Sequence, residues 1–247
     1  MRQALVVLML LFAAGAHADT LLTIKTRLEK TPPPEPPRES PGEGTSQLWV
    51  GDHRLREDTP KYSASVIRRF DRKKLYLINH ESRTWSETDL PFGPPSGGKK
   101  RPPLTEEMTV TVTGEVRQIG RWNARKVIVV SRGLLGETTS VKWMSTEVGV
   151  DEGTLNQWQA GAIVLPPGSI APEVLEAQRR LDAIPGYPVL TESRIAGGPD
   201  ETEYRWHIEL VSAEAKEPPA DLYEPPAGYT RVSAAQSLDG AFKSNLP

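Results

Sequence analysis

RRFDRKKLYLINHESRTWSE, Arg68 to Glu87, carries six Lys or Arg and three aromatic residues in twenty positions. It reads either as a nucleic-acid-binding stripe or as the hairpin of a β-sheet. A stripe needs its cations on one face, with aromatics free to stack on bases. Here Arg72, Lys73 and Lys74 cluster beside Asp71, a residue type that favours a tight turn. Past that turn, Leu75 and Leu77 fall on one strand face and Tyr76 and Ile78 on the other. The charges crown a turn while the apolar residues enter both faces of a sheet. The pattern predicts a hairpin of Ser65–Phe70 and Lys74–Asn79, with a third strand over Thr84–Thr88.

The same period of two extends outward. Leu22, Ile24, Thr26 and Leu28 alternate with Thr23, Lys25 and Arg27. Gln47–Thr59 reads as two strands about Gly51-Asp52, or as one strand with a bulge there. Three further strands fall in MTVTVTGEVRQIG, NARKVIVVSRG and TTSVKWMSTEVGVD. Lys126–Ser131 is apolar on both faces and predicts a central, covered strand. Tyr204, Trp206, Ile208 and Leu210 alternate cleanly with Arg205, His207 and Glu209. Two stretches rich in Pro and Gly, 31–46 and 91–104, cannot be strand or helix interiors, because proline fixes φ and removes a donor. Two helices are expected late in the chain. One is short and capped by Asp151; the other runs Pro172–Ile184, with Val174, Ala177, Leu181 and Ile184 on one face. No internal repeat of fixed period is evident, and 233–247 reads as a weakly ordered tail. About nine to eleven antiparallel strands with two late helices predict a mainly β (α+β) fold: one strongly curved antiparallel sheet with helices on one face.

The N-terminus, MRQALVVLMLLFAAGAHADT, has the basic start, short apolar run and A-x-A site of a secretory signal, and predicts cleavage after Ala18 and a periplasmic location. No later segment is apolar enough to span, so no stable membrane insertion is expected. Without cysteine there is no disulfide framework, thiolate metal site or Cys nucleophile, and no lipid attachment at the cleavage site. Processing would leave 229 residues with 29 Lys and Arg against 32 Asp and Glu, a net charge of −3 that argues against a nucleic-acid partner.

Catalytic patterns are near misses. GPPSGGKK, Gly93 to Lys100, imitates a phosphate-binding loop, but Lys100 stands where Ser or Thr should hold Mg²⁺, and Arg101-Pro102-Pro103 blocks the helix that must follow. His53, His80 and His207 share no ligand spacing, so no metal and no cofactor are expected. Glu106-Glu107 and Asp151-Glu152 are adjacent pairs, which do not converge on a substrate. No G-x-S-x-G elbow occurs. The expectation is a protein that is not an enzyme and has no catalytic residues.

Several blocks carry a family resemblance. FDRKKLYLINHESRTWSETDLP (70–91), GEVRQIGRWNARKVIVV (114–130), SVKWMSTEVGVD (140–151), IPGYPVLTES and LYEPPAGYTRV resemble an uncharacterised group of exported bacterial proteins. That group is similar in turn to the periplasmic lipoprotein carrier and its relatives. The chain departs in its long Pro-rich insert, and Asn123-Ala124-Arg125 stands where the group's second block has a Cys. The resemblance implies that 19–247 is a single half-open β-barrel domain with helices packed on the concave face, binding acyl chains or a lipidated partner. Trp85, Trp143, Met144, Trp206, Tyr76 and Leu175 are the candidates to line such a cavity, although the same residues could simply fill the core. The alternative is an envelope interaction or sensor module with a filled core, whose partner meets the Pro-rich loops and the charged hairpin tip.

Overall fold

The structure, a computed structural model, describes residues 18–31, 43–90, 105–133, 136–161, 171–196, 202–234 and 236. The expected signal segment before Ala18, residues 32–42 of the first loop, all of 91–104 and nearly all of the tail lie outside the described residues.

Twelve strands form one sheet: β1 (Asp19–Thr31), β2 (Gly44–Gly51), β3 (Arg54–Thr59), β4 (Ala64–Arg69), β5 (Lys74–Asn79), β6 (Thr84–Asp89), β7 (Thr105–Ile119), β8 (Trp122–Gly133), β9 (Gly136–Ser145), β10 (Tyr187–Ala196), β11 (Glu203–Lys216) and β12 (Thr230–Arg231). Helices α1 (Glu152–Gly161) and α2 (Pro172–Asp182) interrupt the strands between β9 and β10. The order across the sheet is β12-β6-β5-β4-β3-β2-β1-β11-β10-β9-β8-β7. Every pairing is antiparallel except the short parallel one of β12 on β6. The sheet does not close, and its ends are β7 and β12.

The hairpin predicted from the opening stretch is present, with Ile67 opposite Tyr76 and Ile78 opposite Trp85. Its surroundings correct the sequence reading in three places. Residues 44–46 are strand, not loop. β8 is the penultimate strand, not a central one; its Val127 and Val129 are buried under α2, which explains its apolar character. There is also a repeat. β3, β4, β5 and β6 are each six residues long and start ten residues apart. The turns that precede them place His53, Ser63, Lys73 and Arg83 in the left-handed region, at φ 52, 46, 53 and 52. Four unlike side chains occupy equivalent backbone positions, so the repeat lies in dihedral angles and not in residue identity. None is glycine, and each turn carries a cost of about 1–2 kcal/mol.

Adjacent residues in β1 and β2 are buried together: Leu21 with Leu22, and Trp49 with Val50. Successive strand residues face opposite sides, so the sheet is covered on both faces. One face carries Leu22, Leu48, Val50, Leu55 and Leu210 against Leu155 of α1, and Val127, Val129 and Met144 against Leu181 within α2 and Ile184 just after it. Asp151 caps α1, accepting from Thr154 N at 2.6 Å. Pro172 opens α2.

The other face carries Leu21, Trp49, Ile67, Tyr76 and Ile78 beneath Leu222, Tyr223 and Tyr229 of the segment after β11. That segment is pinned by arginines. Arg56 Nη1 donates to Leu222 O at 2.8 Å. Arg69 bonds Tyr223 O and Glu224. Arg54 lies over the Tyr223 ring at 4.6 Å, and the Tyr223 hydroxyl donates to buried Asp19 at 2.6 Å. Beside them Ser65 donates to Asp58 at 2.5 Å and meets His80 Nε2 at 2.6 Å. Nε2 is therefore the protonated nitrogen, and His80 Nδ1 accepts from Tyr229 at 3.0 Å. Of the six cations in the opening stretch, Arg68, Arg69, Arg72, Lys74 and Arg83 are engaged within the chain.

Removing the Tyr223 hydroxyl leaves a buried carboxylate short of a donor. Tyr223→Phe is expected to lower unfolding free energy by about 1.5–3 kcal/mol, read from the urea midpoint at unchanged m-value. A loss below about 0.5 kcal/mol would place the segment's hold elsewhere.

His80 supplies a second test. Burial, then the Arg56 charge, lower its pKa from 6.5 against the pull of Asp58. A base with a depressed folded pKa is fully accommodated above its unfolded value. Stability is therefore lost as pH falls below about 6.5, where the unfolded chain takes up a proton first. The difference in stability between wild type and His80→Gln should shrink from pH 7.5 to pH 5, by roughly the proton-uptake slope of one group; a constant difference would remove His80 from the account.

Candidate functional site

The helix-covered face is not completely filled. A cavity of about 610 Å³ lies between the sheet and the two helices. Its walls come from β1, β2 and β3 on one side (Ile24, Ser46, Glu57), from β9, β10 and β11 on the other (Met144, Thr191, Ile208), and from Leu155 and Leu181 above. The alternation that builds the core also builds this wall. Ile24 pairs with Leu210, Thr26 with Ile208, and Thr191 with both Ile208 and Lys142, so one row of same-face residues crosses four strands. The peptide after α2 closes one side through Pro185 and Gly186. At φ 100°, Gly186 packs so close to β9 that a Cβ there would stand 2.5 Å from the Ser145 carbonyl oxygen. A groove of about 300 Å³ adjoins the cavity, sharing Thr26, Ser46 and Glu57, and runs on to Leu28, Tyr62 and Trp206.

The six sequence candidates separate. Met144 lines the cavity. Trp206 lines the adjoining groove. The other four are not among the lining residues. Trp143, one position from Met144 on β9, points the other way. It is buried beneath Arg117, 4.0 Å from its ring, and Lys126. Tyr76 and Trp85 meet edge-to-face at 5.9 Å in the core of the opposite face. Leu175 is 41% exposed: α2 turns Val174 and Ala177 inward, and the next residue along falls about 100° round the helix. Ile24, Leu155, Leu181, Ile208 and Leu210 were legible in the sequence as apolar-periodic positions. Nothing in the pattern separates a position that fills the core from one that borders a void.

Charge in the cavity is unevenly partnered. Glu57 stands 3.7 Å from Arg68, whose guanidinium lies 6.0 Å from the Trp158 ring centre. Burial lowers the Arg68 pKa, and Glu57 opposes that shift. Asp182 accepts from Gln178 at 2.7 Å. Glu152 sits exposed in the first turn of α1, where the helix N-terminus favours a carboxylate. Lys142 is half-buried in the wall, and burial lowers its pKa against the more distant attraction of Asp182. Tyr187, also in the wall, has its phenol pushed well up by burial. Among the described residues no group of three or more His, Asp or Glu converges in a metal-holding arrangement. The Ser65–His80 contact lies outside this cavity: Ser65 is 1% exposed and its proton is directed to Asp58. No described helix is long and apolar enough to cross a membrane.

Two solved structures of PNGF-II, in P21 and C2 crystals, are similar to this chain at 10% and 11% identity with TM-scores of 0.45 and 0.43. Each match covers 92% of this chain but only 34% and 33% of PNGF-II, so the chain spans about a third of the length of those structures. No curated protein matches it. Residues 44–229, well over half of the sequence, match the family described as Domain of unknown function (DUF4412), and the chain belongs to that family.

Proposed function

We propose that the protein is a periplasmic, non-enzymatic binding protein that holds a lipid, or the acyl part of a lipidated partner, in the cavity beneath α1 and α2. The observation that carries this reading is the cavity itself. Its volume of about 610 Å³ falls in the range of small-molecule sites, about 300–1,000 Å³. Its apolar walls would recover roughly 0.8 kcal/mol for each methylene buried. A sheet curving around two helices into a half-open barrel, as in the periplasmic lipoprotein carrier, would put such a cavity on its concave side. Export fits the start of β1 at Asp19, the residue after the expected cleavage site, because processing there would leave the sheet whole. The reading needs no cofactor, metal, nucleic acid or membrane-inserted segment.

A second reading, an envelope interaction or sensor module, draws on β7. This strand is an end of the sheet, and its Val112 and Val116 are 48% and 60% exposed. An edge that no other described strand pairs, with exposed apolar residues, can accept a strand from a partner.

Native mass spectrometry of the full chain expressed with export and purified without detergent separates the two. A bound mass that organic extraction removes, and that Ile208→Trp reduces by filling the cavity, is the expected result. A clean protein mass that stays unchanged after incubation with lipids and lipopeptides would sink the binding reading and leave the β7 edge as the site to pursue. Ile208→Trp must keep a cooperative melt, since overpacking costs about 1–3 kcal/mol.

A further inference from the structure

Resting on that reading of the cavity, the chemistry of its walls selects among hydrophobic ligands. An ammonium half-buried in a low-dielectric wall is costly unless a counter-charge and hydrogen bonds meet it. The cavity's carboxylates are already accommodated: Glu57 by Arg68, Asp182 by Gln178, and Glu152 at the mouth of α1 in solvent. Lys142 is not. Among the described residues no hydrogen bond or ion pair reaches its Nζ, and Asp182 acts on it through charge alone. Thr191 sits directly across from Lys142 on β10 and borders the same wall. The same row of wall residues continues through Ile208 and Thr26 into the groove that ends at Leu28 and Trp206. Among the described residues Lys142 is thus the one Lys or Arg of the cavity wall, at one end of a track whose apolar members are Ile24, Ile208, Leu28 and Trp206 and whose polar members include Thr26, Ser46 and Glu57.

We propose that the ligand is an amphipathic anion, a long-chain carboxylate, whose head group pairs with Lys142 and Thr191 and whose alkyl chain runs past Ile208 and Thr26 toward Trp206. The other titratable groups lining the same cavity are Asp182 from α2, Glu152 from α1, Glu57 from β3 and the neutral Tyr187 phenol from β10. The bound carboxylate competes with Asp182 for the ammonium, so the preference for an anion depends on Lys142 staying charged. Because burial lowers the Lys142 pKa, that preference should fade as pH rises through the alkaline range.

The test uses the full chain and displacement of the neutral fluorophore N-phenyl-1-naphthylamine by three probes of equal length: dodecanoate, dodecanol and dodecylamine. Dodecanoate should compete at a concentration at least about tenfold lower than dodecanol, the worth of one charge-assisted hydrogen bond, and dodecylamine should be weakest. Lys142→Met, which keeps the apolar stem, should bring the dodecanoate and dodecanol values together. Lys142→Arg should keep them apart. If dodecanol competes as well as dodecanoate in the wild type, or if the preference survives in Lys142→Met, the head-group assignment falls while the cavity reading stands. If the fluorophore and all three probes fail to bind the wild type, both fall. If Lys142→Met does not fold, the wild-type preference and its loss on raising pH decide the matter without it.

Discussion

Burial on both faces at β1 and β2 is the constraint on which the rest of this structure depends. Leu21 and Leu22, and then Trp49 and Val50, are consecutive and all buried. A strand can bury consecutive side chains only if both sides of its sheet are covered. A single open sheet offers no second layer of its own, so two different coverings are recruited. One face takes α1 and α2, inserted between β9 and β10. The other takes the segment after β11, whose Tyr223 and Leu222 lie on Trp49 and Ile67.

The two coverings differ in shape, and that difference places the site. The C-terminal segment is fastened by polar chemistry, with Arg54, Arg56 and Arg69 reaching its carbonyls, its Tyr223 ring and its Glu224. Such a network is satisfied by direct contact and leaves little room. α1 is held by Leu155 and by Thr154, whose hydroxyl donates to Gly51 O at 2.9 Å and accepts from His53 N at 3.0 Å; α2 is held by Leu181, with Ile184 just after it. Two rods laid on a sheet touch it along narrow stripes, and the space between those stripes is the cavity. The void is thus a consequence of a helical cover, where the irregular cover on the opposite face fits closely.

Charge follows the same division. On the segment-covered face Arg69, Arg72 and Arg83 are engaged by the C-terminal segment, and Arg68 is engaged on the helix-covered face by Glu57 and Trp158, which is why a stretch as basic as Arg68–Glu87 ends as a hairpin whose arginines serve packing. On the helix-covered face Glu57 meets Arg68, Asp182 meets Gln178 and Glu152 stands exposed, while among the described residues Lys142 has neither a hydrogen bond nor an ion pair. The asymmetry would be of no consequence on a solvated surface. It matters here because Lys142 stands half-buried in the cavity wall, where burial already lowers its pKa.

The alternation of Leu22, Ile24, Tyr76, Ile78, Ile208 and Leu210 was enough to determine strands, a mainly β fold and the opening hairpin, because period two is a local property of the chain. Asp151 and Pro172 marked the helix starts for the same reason: caps act over three or four residues. The ten-residue repeat of β3 to β6 stayed hidden, since a left-handed turn residue is a backbone state that His53, Ser63, Lys73 and Arg83 reach without sharing a side chain. The site residues were legible only as apolar positions. Which face a Trp or Met looks toward depends on strand register, and one step along β9 sends Met144 to the cavity and Trp143 beneath Arg117. Strand order, the choice of cover for each face and the unpartnered state of Lys142 are decided between residues far apart in the chain. Only the tertiary structure brings those residues together.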